Sequence, residues 1–90
     1  MIGIDVARIK RWFIKTYAQY SGTGYTVEVR NVSGMNGDNY VDHIGGYDCT
    51  FRVEVFDGSN ERVFWCEGEY SRMHYGGWKA SETSHYIPSN

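Results

Sequence analysis

No apolar run in this chain approaches the roughly 18 residues that a membrane span requires, so no membrane partner is expected. Cysteine is scarce. Cys49 and Cys66 are the only two, too few for a disulfide framework or a thiolate metal site, and free buried thiols are the expected state. Proline occurs once, at Pro88, inside a polar stretch, 81–90, that reads as a loosely held tail with Tyr86 and Ile87 as its anchor. The N-terminus lacks the order of a secretory signal: Asp5 interrupts Ile2, Ile4 and Val6, and Arg8, Lys10 and Arg11 follow, which points to the cytoplasm. An excess of positive charge is missing too. The net charge is −2 and the pI about 5.8, a poor match to the positive field on which phosphate binding depends.

Chemical motifs are equally thin. A glycine-flanked serine elbow, a phosphate loop and a dinucleotide fingerprint are absent. Asp38, Asp42, His43 and Asp48 gather around a glycine-rich loop, but they lack the closing Glu of a calcium hand and a second His at i+4, and they read as solvated turn residues. His74 and His85 read as surface residues. Both cysteines fall mid-strand among aromatics, surroundings that raise a thiol's pKa and suppress its nucleophilicity. Glu67 and Glu69 share one strand face, as coupled carboxylates do, yet nothing else lines a cleft with them. The expectation is a non-enzymatic protein with no catalytic residue, no metal and no cofactor.

What is present suits one globular domain: 90 residues, 41% apolar and 22% charged, with 1–80 as its body. Its organising stretch is 47–70. Tyr47, Cys49, Phe51, Val53 and Val55 alternate with polar residues, and a turn at Asp57-Gly58-Ser59-Asn60 leads to a second arm, giving a long β-hairpin. A two-residue loop at Gly58-Ser59 would pair Val55 with Arg62 and Val53 with Phe64, and make the cysteines diagonal neighbours; a four-residue loop is the competing register.

Upstream, 5–20 reads as an amphipathic helix with Asp5 as N-cap and Gly22 and Gly24 as the stop. Val6, Ile9, Phe13, Tyr17 and Tyr20 form one stripe; Arg8, Arg11 and Lys15 gather opposite, with Trp12 and Ile14 at the margins. The helix holds four basic residues against one acid. Alternation over 25–32 predicts a strand, 33–39 a loop, 40–44 a short strand, and 71–79 a further strand or bend. These elements define an α+β fold, one N-terminal amphipathic helix packed on a four- or five-stranded antiparallel sheet with a long central hairpin, in which Phe13 and Phe51 face one another.

Aromatics make up 17% of the chain, with eight Tyr and three Trp, more than such a core hides, so some are expected at the surface as contact anchors. A protein-binding module is therefore the leading reading, with Arg8, Arg11, Trp12, Lys15, Tyr70, Arg72, Tyr75 and Trp78 as its binding residues and a protein with an acidic surface as its partner. Arg72, His74, Tyr75, Trp78 and Lys79 interleave cations with stacking surfaces, which keeps single-stranded nucleic-acid binding as the alternative, beside a structural subunit of a larger assembly. In size and composition, though in no motif, the chain resembles phage and mobile-element accessory proteins, among them inhibitors of bacterial defence systems.

Overall fold

The computed structural model describes residues 3–34, 46–73 and 76–86. Helix α1 (Gly3–Thr16) leads through a 3₁₀ turn (Ala18–Tyr20) to strands β1 (Thr26–Gly34), β2 (Gly46–Phe56), β3 (Arg62–Met73) and β4 (Trp78–Tyr86). The strands form one antiparallel sheet in the order β1-β2-β3-β4, so every strand lies beside its neighbour in sequence. This is the expected α+β arrangement, and β2 and β3 are its long central hairpin. The strand expected at 40–44 lies outside the described residues.

Period-two alternation assigns the faces. Cys49, Phe51, Val53 and Val55 of β2 and Phe64, Cys66 and Tyr70 of β3 turn to one side, where Ile9 and Phe13 of α1 cover them, and all nine are buried. Phe13 lies over Phe64, with ring centroids 6.1 Å apart, whereas Phe51 receives the edge of Trp12 at 5.4 Å. Thus Trp12, not Phe13, is the aromatic partner of Phe51. Gly68 stands opposite Phe51 in the register and makes room for it: a Cβ at Gly68 would fall 2.6 Å from Phe51 Cζ, and closer still to the Ser81 carbonyl oxygen.

Three further expectations, on where elements end and how they pair, need correction. The helix ends at Thr16, before the glycines, because Tyr17 leaves helical dihedrals at φ −125° and the following 3₁₀ turn carries Tyr20 onto Phe64 alongside Tyr17. The hairpin pairs Val55 with Phe64 and Val53 with Cys66. Its turn spans three residues: Asn60 N–H donates to the Asp57 carbonyl, Asp57 N–H donates to that of Glu61, and Asn60 takes the left-handed φ of 64°, a type I turn closed by a residue in the left-handed region. Asp57 Oδ1 fixes it by accepting from Ser59 and Glu61 N–H. Cys49 therefore lies opposite Tyr70 and Cys66 opposite Val53, four positions apart along the ladder, and both thiols are free.

The third correction concerns the tail. Residues 81–86 are the second half of β4, paired with β3 as far as Trp65↔Tyr86. Their polarity is that of an edge strand, held by backbone pairing and polar side-chain contacts, not by an apolar row. The Tyr17 hydroxyl donates to the Glu82 carboxylate, Thr83 to the Glu67 carbonyl, and His85 stacks on Phe64.

Candidate protein-binding surface

The sheet face turned away from α1 is a charge ladder. Glu54, only 5% exposed, takes Arg62 at 2.6 Å on one oxygen and has Arg30 Nε at 2.7 Å from the other, an ion pair without hydrogen-bond alignment. Arg52 donates to its cross-strand partner Glu67 at 2.9 and 3.1 Å and lies 4.5 Å over the Trp65 ring, which in turn meets Tyr86. The three arginines of this face, Arg30, Arg52 and Arg62, are spent on neighbours.

The residues expected to bind a partner divide into two groups. Arg8, Tyr70, Arg72 and Trp78 converge on Asp5, which is fully buried in the first turn of α1. The Tyr70 hydroxyl donates to Asp5 Oδ1 at 2.6 Å, Arg72 Nη1 stands 3.5 Å from the same oxygen, and Arg8 donates to the Tyr70 hydroxyl at 3.3 Å while its guanidinium lies 5.7 Å over Trp78. Asp5 is thus the anchor of helix to sheet and not an N-cap. Burial, then the hydrogen bond to Asp5, pushes the Tyr70 phenol up to about 12, against a smaller opposite pull from Arg8. Trp12 is likewise engaged, on Phe51.

Arg11 and Lys15 form the other group, joined by Lys10, which the sequence reading did not single out. All three are exposed on α1, and none has an ion-pair or hydrogen-bond partner among the described residues. The charge on Lys10, adjacent to Arg11, was the available signal. Tyr75 lies outside the described residues, as do His74, Asp38, Asp42 and His43. Register separates the interleaved aromatic and basic stretch, because β4 puts Trp78 on the helix face and Lys79 on the other.

Both cysteine thiols lie in the core. Burial leads the causes that push the Cys49 thiol up to about 11 and the Cys66 thiol to about 12, and a thiol protonated at neutral pH is a poor nucleophile. Among the described residues no group of three or more His, Cys, Asp or Glu side chains could hold a metal ion, and no helix is long and apolar enough to cross a membrane. A shallow open depression of about 290 Å³ is lined by Met73, Gly77, Trp78 and Lys79. No family model, curated protein or solved structure matches the chain.

Proposed function

We infer that the chain is a small non-enzymatic protein-binding module that docks on an acidic protein surface through the outward face of α1, with Lys10, Arg11 and Lys15 as its contacts. The observation that carries this reading is the sorting of the cations. Arg8, Arg30, Arg52, Arg62 and Arg72 each hold a side chain of the fold, whereas Lys10, Arg11 and Lys15 stand exposed together on one helix, and Lys79 alone on the sheet's outer face, without a partner among the described residues. Exposed cations contribute little to folding but raise the rate of encounter with an oppositely charged surface. Inhibition of a host defence complex by a phage or mobile-element protein is one form such docking takes, and a reducing cytoplasm suits two buried free thiols.

The test is affinity capture from the native host's lysate with the parent and with the triple variant Lys10→Glu/Arg11→Glu/Lys15→Glu, read by mass spectrometry. The parent should hold a protein with an acidic surface that the variant loses while keeping its melting temperature. Equal capture by both, or capture abolished by nuclease, would overturn the reading.

A further inference from the structure

Among the described residues strand β1 is one edge of the sheet, and its charges do not suit its own neighbours. Glu28 stands directly opposite Glu54 in the register, and like charges facing across a ladder are unfavourable. The two carboxylate oxygens of Glu54 are already taken by Arg30 and Arg62. Glu28 is exposed and has no cation among the described residues. Arg30 keeps 65% of its side-chain surface despite its pairing, so it has reach beyond the edge.

The segment Thr26–Asn31 runs in unbroken register with β2, and the ladder shifts only beyond Asn31. Its charge pattern is complementary to itself: Glu28 and Arg30 flank Val29 and lie on one face. A second copy laid antiparallel about Val29 would set Glu28 opposite the partner's Arg30 and Arg30 opposite the partner's Glu28, and the two-fold relation satisfies both at once. Tyr25 and Val32, exposed by 40% and 52%, bracket the segment, and Val32 would fall opposite the partner's Thr26. The outward backbone groups of β1, which have no strand partner among the described residues, are a template for such pairing. The other edge is less suited to it: β4 turns Glu82 toward the helix face and carries a register shift in its middle, two devices that blunt an edge.

We propose that two copies of this chain associate through β1, antiparallel about Val29, with reciprocal Glu28–Arg30 pairs joining their sheets into one. The two-fold axis then stands perpendicular to the sheet and leaves both α1 helices on one side, so the dimer presents its two cationic faces together and engages a suitable acidic partner bivalently. The dimer stands independently of what α1 binds.

Sedimentation equilibrium over a concentration series tests it. The parent should dimerise reversibly, and Glu28→Arg should weaken the dimer at least about tenfold while the dilute protein melts no lower than the parent, because the substitution removes the Glu28–Glu54 opposition. Arg30→Glu should also fail to self-associate. An equimolar mixture of the two variants should form a heterodimer, since every position at the seam again meets its opposite sign. A parent that stays monomeric, variants that dimerise as well as the parent, or a mixture no better than its components would overturn the proposal. If Arg30→Glu proves unfolded for want of its Glu54 pair, Glu28→Gln and Glu28→Arg decide alone: progressive weakening in that order supports the seam, and unchanged association refutes it.

Discussion

Asp5 and Tyr70 stand 65 positions apart in the chain and share one buried hydrogen bond, so each is the other's means of leaving water. Tyr70→Phe keeps the ring and removes the donor, and should cost about 1–3 kcal/mol as measured by urea denaturation; an unchanged midpoint would show that the carboxylate is satisfied without the phenol. Nothing local encodes this pair. An acid at the start of a helix ordinarily caps it, and only the fold reveals that Asp5 points inward. The buried thiols and the Tyr70 phenol also set a pH response. Cys49 and Cys66 rise from an ordinary value of 9 to about 11 and about 12, and Tyr70 from 10 to about 12, all led by burial. Each raised pKa favours the protonated form in the folded state, so the contribution of these three groups to stability should be complete below about pH 9 and be lost from there to pH 12, where the unfolded chain releases its protons first. The urea midpoint measured across that window checks the sign, and Cys66→Ala should make the fall shallower. A midpoint that rises above pH 9 would contradict the burial of these groups.

Among the elements, the hairpin shows what alternation can and cannot supply. The expected and observed registers differ by two residues, and a slip of two preserves the side each residue faces, which is why the inner row of β2 was legible although its partners were not. The three-residue turn, fixed by the side chain of Asp57 and the left-handed Asn60, supplies one of those two residues, and the register shift between Val55 and Phe56 supplies the other. Asn60→Val should therefore cost about 1–2 kcal/mol, whereas Asn60→Gly should be close to neutral or stabilising. Gly68 was silent in the sequence because its role is to be overlain by Phe51 and the Ser81 carbonyl. Gly68→Ala should destabilise by about 1–3 kcal/mol by overfilling that slot. β4 was half missed for the opposite reason, since its second half has no apolar row to detect and is held by backbone pairing, by Glu82 and by Thr83.

At the scale of the whole molecule, charge separates what folds the protein from what is left to act on others. The amphipathic stripe of α1 was readable from spacing, and its Ile9 and Phe13 are fully buried. Which cations remained free was not readable, because Arg8 stands on the same helix as Arg11 and only the positions of Tyr70 and Trp78 draw it into the fold. The distinction has opposite mutational signatures. Trp12→Ala should lower the melting temperature, since it strips the cover from Phe51, and should not behave as a loss confined to binding. The most direct measurement is surface plasmon resonance of a captured partner against the parent and the Lys10→Glu/Arg11→Glu/Lys15→Glu variant at two salt concentrations, with thermal melts of both. The two melting temperatures should be nearly equal, and the variant should associate more slowly and with a smaller salt dependence of that rate; equal association rates at both salt concentrations would exclude this face of α1.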